Sequence, residues 1–494
     1  MSYLLALDQG TTSSRAIIFN EQGKVQATAQ REIHIATPHS GWVEQDAQEI
    51  WTTQIAVVQQ ALASAGILAK DIQAIGLTNQ RETTVVWDKR TGRPLAPAIV
   101  WQDRRATEWC NQLLLQNLQT TIQQKTGLRI DPYFSAGKLV WLLENIDGLR
   151  DLAQQGHVAF GTVDSWLMWN LTQGAEHVIE ASNASRTMLM NLKTQTWDEE
   201  LLDLFNIPHS VLPNIIASDT YMADTATGLL GANIPIMGIL GDQQSALFGQ
   251  SCFEVGTAKN TYGTGCFMLF NTGHEVQFSH NKLISTLAWQ CHEKTTYALE
   301  GSVFMAGAIV QWLRDGLGII QNSREVEQLA CQVKDTDGVV LVPAFTGLGA
   351  PHWDSEARAL LCGMSRGTNK AHIARAALES IAFQVSDVLM AMQSDIAHPL
   401  KELRVDGGAS SNDMLMQFQA DILNVPVLRP KMLESTAWGA AAMAGLKAGV
   451  FSNMSDISAS WQLERAFEPN MNEDQRQFHL NKWQTALKRA KSDI

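Results

Sequence analysis

Apolar runs alternate with polar turns and an amphipathic stretch along the first half of the chain. Residues 3–7 and 15–19 are apolar runs that flank a polar turn, and residues 72–77 form a further run. Between them, an amphipathic stretch begins after Asp46, a typical N-cap residue, and stops at Gly66, a typical helix end. Strands that alternate with helices in this way predict an α/β fold.

The second half repeats this plan. The apolar run 236–240 enters a Gly-Asp-Gln-Gln turn, and residues 259–270 again form a run, a Gly/Thr turn and an apolar run. An amphipathic stretch from about residue 369 to residue 392 predicts a long helix, and residues 403–405 enter an Asp-Gly-Gly turn that opens a further helix. We therefore predict two related halves that face one ligand.

The length of the chain also favours two domains. A chain of 494 residues is too long for one ordinary hydrophobic core. No low-complexity segment or long Pro/Gly linker separates the halves, so we place the boundary near residues 245–258. The prediction is an N-terminal domain of residues 1–250 and a C-terminal domain of residues 251–494.

The opening turn carries more hydroxyl groups than a turn needs. It joins Asp8 to the row Thr11–Ser14 and to Arg15. A plain hairpin explains Gly and hydroxyl residues in a turn. However, the apolar runs on both sides indicate a buried strand end, and hydroxyls with Gly N–H groups can donate to phosphate oxygens. Asp8 is then a candidate Mg²⁺ ligand, and the Gly-Thr-Gly turn at 263–265 is a candidate second phosphate loop.

Charge and composition exclude several classes of function. The net charge of −13 argues against a nucleic-acid or anionic-membrane partner. We expect no membrane span, because no stretch approaches about 20 apolar residues, and no signal peptide, because Asp8 interrupts the first apolar run. The six cysteines are scattered, without a C-x-x-C pair, which indicates reduced thiols in a cytoplasmic protein. The histidines form no zinc-binding pattern.

Three common motifs are absent or misplaced. No P-loop pattern occurs, and Gly347-Leu348-Gly349 lacks the third glycine of a dinucleotide-binding loop. Residues 363–367 match the G-x-S-x-G nucleophile elbow of α/β-hydrolases. That elbow needs its helix to start at the nucleophile, whereas residues 367–369 separate Ser365 from the predicted helix. We interpret Ser365 as a loop residue.

Five stretches occur in an order that is far more specific than any single motif. They are Asp8-Gln9-Gly10-Thr11-Thr12-Ser13-Ser14-Arg15, Thr78-Asn79-Gln80-Arg81-Glu82-Thr83, Ala98-Ile99-Val100-Trp101-Gln102, Gly241-Asp242-Gln243-Gln244 and Tyr262-Gly263-Thr264-Gly265-Cys266-Phe267. With them the chain strongly resembles the FGGY family of carbohydrate kinases from residue 4 to about residue 450. Both signatures of that family also fit, at Tyr133–Asn145 and Ala359–Glu379.

The resemblance implies two actin-like (ribonuclease H-like) domains with a nucleotide and substrate cleft between them. It implies ATP- and Mg²⁺-dependent phosphorylation of glycerol to sn-glycerol 3-phosphate. Keto-sugar kinases of the family usually carry a Gln-Met-His-Gly type stretch where this chain has residues 79–82, which favours glycerol. The alternatives are another sugar or polyol kinase of the family and, from a different class, an actin-like ATPase switch. We also expect a homo-oligomer, a dimer or a tetramer.

The resemblance further implies an acceptor site in the N-terminal domain. Its residues would be Arg81, Glu82, Trp101, Tyr133, Asp242, Gln243 and Phe267, with Asp242 as the catalytic base. Charged groups suit hydroxyls, and aromatic rings suit the carbons between them. Asp242 would accept the proton of the attacking hydroxyl. Without the resemblance, a surface ion pair, core aromatics and a solvated turn explain the same residues.

The nucleotide site is implied by motif position in the same way. Its residues would be Thr11, Thr12, Ser13, Arg15, Thr264, Gly307, Gln311, Gly408 and Asn412, with Asp8 as the metal ligand. Taken singly, each of these glycines also fits tight packing or entry into a helix.

Overall fold

The structure, a computed structural model, describes residues 2–354, 356–396 and 398–492. The strands of the first half are β1 (Tyr3–Gln9), β2 (Ser13–Asn20), β3 (Val25–Glu32), β4 (Glu44–Gln45), β5 (Ile72–Asn79), β6 (Val85–Asp88), β7 (Ala98–Ile99), β8 (Val158–Gly161), β9 (Val178–Glu180), β10 (Met190–Asn191), β11 (Thr196–Trp197), β12 (Asn214–Ile216), β13 (Ala223–Asp224) and β14 (Pro235–Gly241). Its helices are α1 (Ala47–Ala65), α2 (Thr107–Leu115), α3 (Gln119–Thr126), α4 (Ser135–Asn145), α5 (Leu149–Gln154), α6 (Val163–Leu171), α7 (Ala181–Ala184), α8 (Glu199–Phe205) and α9 (Asp242–Gly249).

The second half continues the alternation of strands and helices. Its strands are β15 (Ala258–Tyr262), β16 (Cys266–Gly273), β17 (Ile284–Cys291), β18 (Lys294–Val303), β19 (Val340–Val342), β20 (Leu360–Cys362), β21 (Leu403–Asp406), β22 (Val427–Pro430) and β23 (Leu463–Phe467). Its helices are α10 (Gly307–Gln311), α11 (Glu325–Ala330), α12 (Lys370–Asp395), α13 (Asp413–Leu423), α14 (Ser435–Lys447), α15 (Met454–Ser460) and α16 (Glu473–Ala490). Within the described ranges, no helix is both long enough and apolar enough to span a membrane.

The first half is built on a six-stranded sheet with the order β13-β14-β5-β1-β2-β3. Strands β1, β2 and β3 form an antiparallel meander, while β5 joins β1 and β14 joins β5 in parallel. Asp8 is level with Thr78, and Gly241 is level with Asn79. The carboxyl ends of three parallel strands therefore lie side by side at one edge of the sheet.

The second half repeats this order of strands. Its seven-stranded sheet runs β17-β18-β16-β15-β21-β22-β23. Strands β15, β16 and β18 pair in antiparallel fashion, and β21 and β22 then follow in parallel. The series β18-β16-β15-β21-β22 thus matches β3-β2-β1-β5-β14 in both order and direction. The prediction of an α/β fold with two related halves is confirmed.

Local sequence signals set the ends of several elements. Asp46 caps α1, and Gly66 ends that helix with a left-handed φ of 65°. Asn369 caps α12, which begins one residue later than predicted and extends to Asp395. Ser365 lies in the loop before α12, so no nucleophile elbow forms.

Helix α14 belongs to the second half but covers one face of the sheet of the first half. Trp438 on this helix packs with Phe19 and Leu240 in one shared core, while α1 and α6 contribute to the core on the opposite face. The helix also lies close to α9, because a Cβ atom at Gly439 would lie only 1.9 Å from the backbone oxygen of Ser245. This close packing fixes α9, which begins with Asp242, against the second half.

We expect Gly439→Ala to lower the free energy of unfolding by about 1–3 kcal/mol, because α9 and α14 must move apart. Urea and thermal unfolding measure this loss. Gly367→Ala is the matched control, since its Cβ would come no closer than 3.6 Å to another heavy atom. Equal stability of the two variants would show that the helix contact is not tight.

Candidate functional site

The opening turn at residues 8–15, the first loop, is held by Arg15, which pairs with two acidic residues. Its guanidinium pairs with Oδ2 of Asp8 and donates to Oε2 of Glu434 over 2.6 Å. Burial raises the pKa of the Asp8 carboxyl above its ordinary value, and the charge of Arg15 opposes this shift. Oδ1 of Asp8 accepts no hydrogen bond from any described residue. It therefore leaves a carboxylate oxygen for a cation, which fits the predicted metal ligand.

The hydroxyl residues of the first loop point in different directions. Thr12 is exposed and Ser13 half-buried, and neither hydroxyl bonds to a described residue. The hydroxyl of Thr11 accepts a hydrogen bond from the indole N–H of Trp101 over 2.8 Å. Ser14 is fully buried and donates to Gln9 over 2.9 Å. The expectation that Ser14 faces a phosphate is therefore wrong, because its side chain points into the protein.

The second loop, residues 263–265, is supported by the start of α10. The backbone N–H of Gly307 donates to the oxygen of Gly263 over 2.9 Å, and that of Ala308 donates to Thr264 over 3.1 Å. A Cβ atom at Gly307 would lie 2.7 Å from the oxygen of Gly263. Packing against the loop thus accounts for Gly307, while Thr264 stays exposed at the tip.

Two neighbouring glycines after β21 serve different needs. Gly407 has a φ of 84°, and a Cβ atom there would lie 2.5 Å from the oxygen of Tyr262. Gly408 is exposed, and a Cβ atom there would meet nothing within 4 Å. Asn412 uses its side-chain oxygen to cap α13, and Gln311 is exposed at the end of α10. The fold thus accounts for Gly407 and Asn412 but leaves Gly408 and Gln311 open to a ligand.

Three aromatic rings from both halves form a wall beside the first loop. The ring of Trp101 lies edge to face with that of Tyr133 at 5.7 Å and with that of Phe267 at 6.5 Å. All three side chains remain partly exposed. Burial raises the pKa of the Tyr133 phenol, which keeps it protonated as a hydrogen-bond donor. The wall can therefore hold apolar carbons and still offer one hydroxyl group.

Arg81 and Glu82 are buried, so the alternative of a surface ion pair is wrong. Arg81 is 3% exposed, and its two terminal nitrogens donate to the carboxylate of Glu300 over 2.5 and 3.0 Å. Glu82 is 1% exposed and accepts from Nε of Arg186 over 2.6 Å. Arg186 also donates to Glu300 over 3.0 Å. Its buried Nη1 has no partner among the described residues, which leaves N–H groups for a water or a ligand oxygen.

The backbone at Glu82 adopts a conformation that is uncommon for a residue with a side chain. Its φ is 60°, in the left-handed region. The hydroxyls of Thr84 and Ser135 donate to its carbonyl oxygen over 3.1 and 3.0 Å and hold this conformation. Such strain is typical of functional positions. The turn directs the carboxylate of Glu82 toward Arg186 rather than toward solvent.

Asp242 is the first residue of α9, at the carboxyl end of β14. Its Oδ1 accepts from the N–H of Gln243 over 2.7 Å and lies 3.2 Å from Nε of Arg81. The side chain is 29% exposed and so reaches the cleft. Burial raises the pKa of the Asp242 carboxyl, and the charges of Arg81 and Lys259 oppose this shift. A carboxylate with a raised pKa is a stronger base.

Lys259 is a buried cation beside these residues. Its Nζ donates to Oε1 of Gln243 over 2.5 Å and to Thr261 over 2.9 Å. Burial lowers the pKa of Lys259 to about 8, although Asp406 and Asp242 oppose the shift. Lys259 thereby fixes the predicted acceptor residue Gln243 from the second half.

Sequence reasoning missed three charged residues of this site: Arg186, Glu300 and Lys259. Each is fully or almost fully buried. A charge inside an otherwise apolar run, such as Glu300 after Tyr-Ala-Leu, is a usable signal, because charged residues are almost never buried without a partner. The partner itself cannot be read from the sequence, since Arg81 and Glu300 are 219 positions apart.

A small cluster of metal-binding residue types lies at the β17–β18 turn. Donor atoms of Asp219, Cys291 and His292 lie within 4.8 Å of one another. Asp219 already accepts the backbone N–H of His292 over 2.9 Å. The hydrogen bonding of the protein therefore accounts for this cluster.

Solved structures resemble this fold closely. The crystal structure of Plasmodium falciparum glycerol kinase with ADP matches with a TM-score of 0.95 and 36% identity, over 100% of this chain and 99% of that one. A xylulose kinase from Lactobacillus acidophilus matches with a TM-score of 0.89 at 22% identity, over 99% of this chain and 97% of that one, and shows the fold alone. The predicted actin-like two-domain fold is confirmed.

Sequence relatives are similar over their whole length. A glycerol kinase from Acinetobacter baylyi is 79% identical over 494 residues, which cover 100% of both chains. A glycerol kinase from Deinococcus radiodurans is 57% identical over 489 residues, 99% of this chain and 97% of that relative. Residues 3–249 match the N-terminal domain of the FGGY family of carbohydrate kinases, and residues 258–448 match its C-terminal domain. The chain therefore belongs to the FGGY family of carbohydrate kinases.

Proposed function

We propose that this chain is a glycerol kinase, which transfers the γ-phosphoryl group of ATP to glycerol and forms sn-glycerol 3-phosphate. The observation that carries this proposal is the group formed by buried Arg81 and Glu82 and partly exposed Asp242, which lies beside the aromatic wall and next to the first phosphate loop. The full-length similarity to relatives named glycerol kinase, at 79% and 57% identity, supports the same activity.

The unused hydrogen-bonding groups of the pocket suit a small neutral triol. Nη2 of Arg81 makes one hydrogen bond, to Glu300, so one of its two N–H groups remains for an acceptor hydroxyl. Oε2 of Glu82 accepts no hydrogen bond from the described residues, so it can accept one from a hydroxyl group of the substrate. Tyr133 and Gln243 add further polar groups, and Trp101, Tyr133 and Phe267 would contact the carbons.

In the proposed reaction Asp242 is the base. The terminal hydroxyl oxygen of glycerol attacks the γ-phosphorus, a new O–P bond forms, and the bond to the β,γ-bridging oxygen breaks to release ADP. The hydroxyl proton passes to the carboxylate of Asp242. Because phosphoryl transfer has a loose transition state, we expect that positioning by Arg81 and Glu82 contributes more than basicity alone.

The nucleotide would lie between the two loops. Thr11, Thr12, Ser13 and Arg15 would contact phosphates from residues 1–250, and Thr264 from residues 251–494. Gly307, Gln311, Gly408 and Asn412 would line the adenosine side. Mg²⁺, held through Asp8, would neutralise charge on the phosphates when bound. A homo-oligomer, a dimer or a tetramer, is part of the same proposal and can be measured by light scattering.

We expect the purified protein with MgATP to release ADP in response to glycerol, and to do so faster than with erythritol, xylulose or gluconate. A coupled assay for ADP measures this dependence. A higher kcat/KM with a sugar would favour another kinase of the family. Slow ATP hydrolysis that no acceptor accelerates would instead favour an actin-like switch.

We expect Asp242→Asn to lower kcat by about 10²- to 10⁴-fold, because an amide cannot accept the proton. Glycerol binding should weaken but persist, since the amide oxygen can still face Arg81. In the wild type, kcat/KM should fall with decreasing pH as Asp242 becomes protonated. Its pKa is raised, so this fall begins above the usual range of an aspartate.

Two controls sharpen that experiment. The acidic fall should be absent from the residual activity of Asp242→Asn, whereas Asp46→Asn, which preserves the cap of α1, should keep the wild-type profile. Wild-type kcat in Asp242→Asn would remove this residue from the mechanism.

We expect Asp8→Asn to raise the Mg²⁺ concentration needed for half-maximal activity by about tenfold or more, because a neutral amide is a weaker ligand for a hard cation. Titration of MgCl₂ at fixed ATP measures the change. Stabilisation by glycerol in thermal unfolding should stay unchanged in this variant. An unchanged Mg²⁺ requirement would contradict the assignment of Asp8.

A further inference from the structure

Five buried or partly buried charges form a continuous chain of alternating sign across the cleft. Glu82 bonds to Arg186, Arg186 to Glu300, and Glu300 to Arg81. Arg81 in turn lies 3.2 Å from the carboxylate of Asp242. The predicted acceptor-binding residues and the predicted base are therefore connected through Arg186 and Glu300, which belong to none of the motifs.

Glu300 is the centre of this chain. One of its oxygens accepts from both Arg81 and Arg186, each over 3.0 Å, and the other accepts from Arg81 over 2.5 Å. Burial alone would raise the pKa of Glu300, but Arg186 and Arg81 outweigh it and lower the pKa to about 2. Glu300 is therefore an anion at neutral pH and separates two cations that would otherwise repel each other.

Glu300 also comes from a different part of the fold than its partners. It lies on β18 of the second sheet, whereas Arg81 and Glu82 follow β5 of the first sheet and Arg186 follows α7. The pocket for the acceptor is thus completed by a side chain from the opposite half of the cleft. An ion pair that only stabilised one domain would not need to cross between the sheets.

We propose that Glu300 and Arg186 are positioning residues for the acceptor: Glu300 orients Arg81, and Arg186 orients Glu82, so that each keeps one hydrogen-bonding group free for a glycerol hydroxyl. This proposal rests on the proposed function. Neither residue touches the reacting atoms. The groups left free are one N–H of Arg81 Nη2 and the Oε2 oxygen of Glu82, and neither takes part in the bonds of this chain of charges.

The decisive variant is Glu300→Gln, which keeps the shape and removes the charge. A neutral amide keeps only one acceptor oxygen, and in either orientation its NH₂ group faces a donor nitrogen of Arg81. Arg81 should then shift, and the KM for glycerol should rise on the order of 10- to 100-fold. The KM for ATP should stay within about twofold of wild type.

Glu379→Gln is the matched control. Glu379 is also buried and also paired with an arginine, Arg375, but it lies on α12 and takes no part in the chain of charges. It should lower stability without changing the KM for glycerol. If Glu379→Gln and Glu300→Gln change the kinetics alike, Glu300 has only a general structural role and the proposal is wrong.

Arg186→Lys decides the question if Glu300→Gln does not fold. This variant keeps the positive charge but cannot bond Glu82 and Glu300 in two directions at once. We expect a rise in the KM for glycerol of about tenfold, with the KM for ATP unchanged. A wild-type KM for glycerol in a folded variant overturns the proposal. Absence of glycerol phosphorylation in the wild type would instead refute the proposed function, so the two failures are distinct.

Discussion

Two guanidinium groups, those of Arg81 and Arg186, are buried at the bottom of the cleft, and the carboxylate of Glu300 lies between them. A buried ion without a partner costs several kcal/mol, so neither arginine could remain there alone. Because Glu300 belongs to the second sheet, the two halves must meet at this point for the charges to be compensated. The orientation of Arg81 toward Asp242 and the attachment of Glu82 to Arg186 both depend on this contact.

The fold delivers the remaining groups through the register of one sheet. Asp8 is level with Thr78, and Gly241 is level with Asn79, so β1, β5 and β14 end together. Neighbouring strands are about 4.8 Å apart, which places Asp8, the residues that follow β5 and Asp242 within a few side-chain lengths of one another. The second sheet repeats the same order of strands, and its hairpin loop at residues 263–265 comes from the second half of the chain. A small acceptor and a phosphate chain can therefore meet in a cleft that neither half forms alone.

Local patterns predicted much of this arrangement. The apolar runs around the opening turn, the cap at Asn369 and the stop at Gly66 depend on neighbours in sequence, and they are confirmed. The direction of the side chains in the turn could not be predicted from the sequence. Ser14 points inward to Gln9, although its sequence context matches that of Ser13. Glu300 was missed for a different reason. Its partners lie 114 and 219 positions away, and only the packing of two sheets brings them together.

The glycines of the proposed nucleotide site show how the requirements of the fold can be separated from those of a ligand. At Gly407 a side chain would collide with the backbone of Tyr262, and at Gly307 it would collide with Gly263, so internal packing is a sufficient reason for both. At Gly408 no atom lies within 4 Å of the place that a Cβ would occupy, and the residue faces solvent. Neither the backbone nor the packing of this chain requires glycine there. Close approach of the nucleotide in the proposed site would supply a reason for glycine at position 408 that the fold itself does not.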